Sequence, residues 1–192
     1  MIKRGDRIAL VGVNGARKST LLKMIVGQTE STSGRLQVGP STQMGYFSQN
    51  SMDSLDPELS ILDELQYHIP TASLGYIRTL LGAFKFSGDE VEKKIKILSG
   101  GEKSRVVLAK LLSKPLNFIV LDEPTNHLDI ASRETLLSAI KEFQGTVIVV
   151  SHDRYFLRAI ANRVFHLDKQ KLTTFDGHFE EYQDRILNNL NI

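Results

Sequence analysis

Cysteine is absent from the 192-residue chain, which excludes disulfide scaffolds and thiolate metal sites and suits a reducing cytoplasm. No apolar run approaches the roughly 20 residues of a membrane-spanning helix, and the N-terminus carries no signal-peptide apolar region, so direct membrane insertion is not expected. An excess of one charge is missing too: 24 lysines and arginines face 22 aspartates and glutamates. The resulting net charge of +2 is too small to argue for nucleic acid by itself. Internal repeats and low-complexity linkers are also lacking. What is present, 41% hydrophobic residues, is enough to bury a full core in one domain.

Short β-rich runs alternate with helical patterns along the chain. Ile8 to Val11 reads as a strand, followed by the helical pattern Leu21 to Val26, which stops at Gly27. Gly34–Gly39 and Gln43–Phe47 read as short strands bounded by turn residues. Ser60 to His68, Ser73 to Phe84 and Gly88 to Leu98 read as helices, the first and last opening on capping-box spacings. Residues 55–114 are thus expected to form a helical subdomain inserted in an α/β core of residues 1–54 and 115–192, the whole being one domain. Asn117 to Leu121 and Thr146 to Val150 are continuous apolar runs, as in strands buried on both faces of a parallel sheet, with a helix from Ile130 to Phe143 between them. Arg163 to Leu167 and Lys171 to Phe175 suggest a hairpin. Phe179, Tyr182, Ile186 and Leu190 then share one helical face. The fold class is α/β with a mainly parallel sheet.

Five places in the chain carry chemistry. Gly12-Val13-Asn14-Gly15-Ala16-Arg17-Lys18-Ser19-Thr20 joins a strand to a helix, the context of a phosphate loop. Its backbone N–H groups and the helix N-terminus attract an anion, Lys18 reaches β/γ-phosphates, and the Ser19 hydroxyl sits on Mg²⁺. Arg17 stands where the pattern has glycine. Leu98-Ser99-Gly100-Gly101-Glu102 opens another helix. Ser99 and Glu102 fit an ordinary capping box, but two glycines cost helix stability and let a backbone approach a ligand, which favours a second anion site. At the C-terminal end of the Asn117 strand, Asp122 can hold Mg²⁺ and Glu123 can orient the attacking water. His152, after the Thr146 strand, reaches the same sheet edge, which favours a γ-phosphate contact. Gln49 could reach the metal or the water.

These stretches together resemble the ATP-binding cassette family over essentially the whole chain. Gly12 to Thr20 matches Walker A, Gln49 the Q-loop, Leu98 to Glu102 the signature, Phe118 to Glu123 Walker B, and His152 the switch histidine. Glu123 through Asp129, with Asn126-His127, looks like the D-loop typical of the ABC-F subfamily. Ser151 to Leu157 and Phe175-Asp176-Gly177 resemble that subfamily as well. The resemblance implies a P-loop NTPase core, ATP and Mg²⁺ as ligands, and ATP hydrolysis. It implies a second cassette as partner, since phosphate loop and signature of opposite cassettes clasp one ATP. Asp129 belongs to the same nucleotide interface by this resemblance. A soluble cytoplasmic protein acting on ribosomes, with rRNA or tRNA as contacts, is the subfamily expectation.

Three departures from the family pattern shape the expectations. Arg17 risks a clash or a costly backbone conformation where the family has glycine, so weakened ATP binding and slower hydrolysis are expected. Strands that the family places ahead of Gly5, including an adenine-stacking aromatic, and the second cassette are not in this sequence; a fragment of a longer protein is one reading. Two alternatives stay open: a nucleotide-binding subunit of a membrane transporter, and a dimerisation module that binds ATP with impaired turnover. The basic stretch Lys93-Lys94-Ile95-Lys96, with Lys103, Arg105 and Lys110, reads about two to one as a solvated helix face over an rRNA contact.

Overall fold

A computed structural model describes residues 1–126 and 128–190, with all their side chains except those of Gln49 and residues 187–190. The chain divides into two compact units. One comprises Met1–Tyr46, Leu116–Pro124 and the chain from Phe143 onward; the other comprises Phe47–Pro115 and Thr125–Glu142.

The first unit is built on a sheet whose strands are β1 (Arg7–Val11), β2 (Met44–Phe47), β3 (Phe118–Asp122), β4 (Thr146–Val150), β5 (Arg163–Asp168) and β6 (Lys171–Asp176). Their order is β2-β3-β4-β1-β5-β6. β1 runs parallel to β4 and β5, and β3 runs parallel to β4, while β5 and β6 form the expected antiparallel hairpin. The apolar runs of β3 and β4 are buried at every position, as their composition requires. Ile8, Leu10, Val120, Ile148, Val150 and Phe165 form one core cluster, closed by Leu22 from α1 (Lys18–Ile25). The mainly parallel α/β fold read from the sequence is the fold observed.

In the second unit α2 (Ile61–His68), α3 (Leu74–Ala83) and α4 (Gly100–Leu112) pack on one another, and α4 also packs on α5 (Ile130–Glu142). Ser60 caps α2 through the Asp63 N–H at 3.1 Å, and Ser73 caps α3 through the Tyr76 N–H at 3.3 Å. Inside this unit Lys110 pairs with the buried Glu64, whose other oxygen accepts the Asp56 N–H. A buried carboxylate satisfied on both oxygens fixes the register of α2 on α4. Arg105 of α4 donates to the Phe84 carbonyl at 3.0 Å and lies 4.5 Å over the Phe86 ring, closing the end of α3.

Two expected elements do not form. Gly34–Gly39 is not a strand; it is an exposed, irregular segment that pairs with no strand among the described residues. A strand needs a ladder partner, which alternation in six residues does not supply. Gly88–Leu98 is not a helix but two 3₁₀ turns, Gly88–Glu92 and Ile95–Ile97. Its backbone is committed elsewhere: the Lys93 carbonyl accepts the Ile61 N–H at 3.1 Å, and the Ile95 N–H donates to the Leu59 carbonyl at 2.9 Å. These nonlocal bonds take the groups that helical i to i−4 bonds would use. One helix was absent from the sequence reading, α6 (Arg154–Ile160), which Asp153 caps through the Phe156 N–H at 3.1 Å. The last helix, α7 (Phe179–Leu190), carries the expected apolar face as far as it is described. Phe179 is buried, and the Tyr182 ring meets His166, Phe175 and Phe179; the Leu190 side chain lies outside the described residues.

Candidate functional site

Because β1, β3 and β4 are parallel neighbours, their C-terminal ends open on one edge of the sheet. Each delivers one part of a site there. From β1 the chain turns through the phosphate-loop residues into α1. From β3 come Asp122 and Glu123. From β4 comes Val150, then His152. Asn14, Gly15, Arg17, Lys18, Ser19, Thr20, Asp122, Glu123, Val150 and His152 line a single pocket of about 320 Å³.

The loop's shape is set by close approach. A side chain at Gly12 would run into the Leu167 carbonyl of β5, so only glycine fits. The Ala16 N–H donates to the Val13 carbonyl at 3.1 Å, closing a turn. Arg17 then enters the helix at φ 63°, ψ 35°, the left-handed conformation that glycine adopts without penalty. This side chain therefore carries the backbone cost expected from the sequence, about 1–3 kcal/mol. Arg17 occupies the cap position of α1 without offering a side-chain acceptor, so the first-turn N–H groups are not capped internally. An anion in the pocket would satisfy them. Lys18 donates from Nζ to the Gly12 carbonyl at 2.9 Å and to the Val13 carbonyl at 3.3 Å, which holds its ammonium over the loop.

The carboxylates Asp122 and Glu123 line the same pocket as this loop. Asp122 is buried at 8% exposure, and the Tyr46 hydroxyl donates to its Oδ2 at 3.4 Å. Glu123 adopts φ 52°, a conformation rarely held by a residue with a side chain and a frequent companion of functional sites. Its N–H donates to the Val150 carbonyl at 2.8 Å, which ties the end of β3 to the end of β4. The His152 N–H donates to Glu123 Oε2 at 3.2 Å, and His152 Nε2 lies 3.4 Å from Oε1. Glutamate and histidine, 29 residues apart, are thus directly coupled at the pocket.

The metal question turns on the donor set. Among the described residues no three His, Asp or Glu side chains converge to cage an ion. Mg²⁺ does not ask for such a cage; it keeps waters and takes one or two carboxylates together with substrate phosphates. Asp122 and the Ser19 hydroxyl, lining the same pocket, fit that requirement.

The remaining site candidates lie in the second unit. Ser99 and Glu102 close their capping box at the start of α4: the Glu102 N–H donates to Ser99 Oγ at 3.3 Å, and the Ser99 N–H to Glu102 Oε2 at 2.8 Å. The Ser99 hydrogen bonds hold the Glu102 carboxyl below the usual range. With both side chains engaged inside the motif, the first-turn backbone at Gly100 and Gly101 is what an anion could approach. Asp129 accepts the Ser132 N–H at 2.7 Å at the start of α5, and its bonds to Ser132 lower its pKa. The Gln49 side chain and all of His127 lie outside the described residues. Tyr46 is the site neighbour that sequence reading missed. Its strand was visible, but the pairing of β2 beside β3 that brings its hydroxyl to Asp122 is not a local property.

Comparison with known proteins decides the family. Residues 1–126 match the family described as ABC transporter. The chain belongs to that family. As an ABC cassette it is similar to YdiF of Bacillus subtilis, 43% identical over 185 residues that make up 96% of this chain and 29% of that protein. It is also similar to ABC transporter F family member 5 of Arabidopsis thaliana, 42% identical over 97% of this chain and 27% of that protein. Both likenesses agree with the ABC-F resemblance read from the motifs. The cassette spans under a third of the length of these curated relatives. Its fold is that of a dimeric, post-hydrolysis ATP-binding cassette, MJ0796, bound to ADP and Pi, with a TM-score of 0.75 covering 92% of this chain and 87% of that one at 23% identity. Among the described residues, no helix is long and apolar enough to cross a membrane.

Proposed function

We propose that this cassette binds MgATP in the phosphate-loop pocket and hydrolyses it when a second cassette closes over the nucleotide. The observation that carries the proposal is the convergence of loop, Asp122, Glu123 and His152 in one pocket at the ends of three parallel strands. In this reading the loop backbone and the Lys18 ammonium hold the β- and γ-phosphates, with Asn14, Gly15, Ala16, Ser19 and Thr20 shaping the cradle. Ser19 and Asp122 would hold Mg²⁺, which when bound would neutralise charge developing on the phosphate oxygens. Glu123 orients the attacking water and accepts its proton. His152, coupled to Glu123, contacts the γ-phosphate, and a role of Gln49 toward metal or water rests on its match to the Q-loop alone.

The second cassette enters through charge and coverage. The phosphate loop lies on one side of the nucleotide, and the chain has a single copy of the Ser99-Gly100-Gly101-Glu102 helix start. Two chains arranged head to tail, or a second cassette in a longer protein, would supply that helix start, and Asp129 with it, to the opposite nucleotide. Phosphate release per chain is therefore expected to rise with chain concentration and to level off where sedimentation shows a pair. A rate per chain independent of concentration would exclude pairing as the step that completes the site.

Arg17 tunes the same site downward. Its side chain adds bulk and strain where a phosphate must lie close to backbone, so Arg17→Gly is expected to tighten ATP binding about tenfold, near 1.4 kcal/mol. Relief of the left-handed arginine should also raise the thermal midpoint by about 2–4 °C per kcal/mol recovered. Equal ATP affinities in calorimetric titrations of the two proteins would contradict this.

Ribosome action in a cytoplasmic setting belongs to this reading only through the F-family likeness. Four of the basic residues that could have touched rRNA are paired with carboxylates within the chain. Lys93 pairs with Glu90 at 3.4 Å, Lys94 and Lys96 pair with Glu58 at 3.6 and 2.9 Å, and Lys110 pairs with Glu64. That favours the solvated, self-neutralised face.

A further inference from the structure

We infer that Tyr46 is a positioning residue for the Mg²⁺-binding carboxylate Asp122; the inference rests on the MgATP reading above. Tyr46 lies on β2, the strand beside β3 in the sheet, and β3 ends in Asp122. Tyr46 is half-buried and packs against the core cluster that contains Ile8, Leu10, Leu22 and Val120, and this packing holds its ring in place. Only the tip reaches the site, where the hydroxyl donates to Asp122 Oδ2 at 3.4 Å.

Among the described residues this is the hydrogen bond made by the Asp122 side chain. A carboxylate at the end of a strand can turn about its χ2 torsion, which is broad. A neutral donor fixed on one oxygen selects one rotation and leaves Oδ1 as the oxygen available to a hydrated cation that Asp122 and Ser19, lining the same pocket, would hold. The choice of donor suits the task. A lysine or arginine at that point would compete with the cation for the negative charge, whereas a phenol donates a hydrogen bond without adding charge. Outer partners of this kind orient the ligand and set metal affinity without touching the metal. The 3.4 Å distance is long for an O–H···O bond, which places the expected effect at or below the roughly tenfold lower end of what such partners contribute.

Tyr46→Phe separates the hydroxyl from the packing, because the ring and its contacts with the core cluster stay. The test is a fluorescent ATP analogue titrated into the chain with EDTA, then with increasing Mg²⁺, alongside thermal unfolding. The expected result is a Mg²⁺ midpoint raised about 3- to 10-fold in Tyr46→Phe. Metal-free nucleotide affinity and thermal midpoint should stay unchanged. An unchanged Mg²⁺ midpoint, with nucleotide binding intact, would overturn the assignment of Tyr46 alone. A parallel fall in metal-free affinity and thermal midpoint would make the residue structural and overturn it equally. Absence of nucleotide binding by the unsubstituted chain would overturn the MgATP reading, and the role of Tyr46 with it.

Discussion

Glu123→Gln is expected to reduce ATP turnover by about 10²- to 10⁴-fold while leaving the fold and the ATP affinity in place. The substitution is nearly isosteric, and the amide oxygen can still accept the His152 N–H that now reaches Glu123 Oε2. The backbone tie from the Glu123 N–H to the Val150 carbonyl does not involve the side chain and persists. What disappears is a negative charge able to take a proton from water. The same charge stands close to where the γ-phosphate would lie, so its removal also lowers repulsion toward bound ATP. Slow turnover and undiminished binding together should accumulate an ATP-bound pair, visible by sedimentation. Phosphate release equal to that of the unsubstituted chain would remove Glu123 from the chemistry. Pairing without phosphate release in the unsubstituted chain would instead select the dimerisation-module reading.

Much of the site was legible in the sequence because its parts are local. A glycine loop between a strand and a helix, two carboxylates at a strand end, and a histidine after the next strand are each short-range patterns. Parallel pairing of β1, β3 and β4 then brings them to one edge, and that pairing is implied by unbroken apolar runs such as Thr146 to Val150. Arg17 was legible in the same way. The loop geometry dictates a left-handed residue there, and φ 63° is what the structure has. Helix starts at Ser60, Ser73 and Ser99 were visible because a cap needs only its own first turn.

What was not legible depends on partners distant in sequence. Gly34–Gly39 has strand composition but no ladder among the described residues. Gly88–Leu98 has a helix start but gives its Lys93 carbonyl and Ile95 N–H to residues 59–61. The Ser87 capping box forms there all the same, so a correct local signal introduced only a 3₁₀ turn. The Tyr46 contact with Asp122 depends on which strand lies beside β3. The lysines at 93, 94 and 96 looked like a basic patch because their acidic partners, Glu58, Glu90 and Glu102, lie partly outside the run.

The proposed role of the pocket as a triphosphate site rests most heavily on Lys18. Among the described residues its ammonium is the one lysine charge lining the pocket, and it is held over the loop by the Gly12 and Val13 carbonyls. In the proposed binding mode Lys18 would instead make two charge-assisted hydrogen bonds to phosphate oxygens, each worth about 1.5–3 kcal/mol. Lys18→Ala sacrifices those while giving up two loop bonds at the protein surface, a modest loss of about 1–2 kcal/mol in stability. ATP binding to the unsubstituted chain and to Lys18→Ala, measured by calorimetry with Mg²⁺ present, is therefore the decisive measurement. The account predicts saturable binding that falls about 100-fold or more in Lys18→Ala with the thermal transition retained. No binding by the unsubstituted chain, or equal affinity in the two proteins, would contradict it.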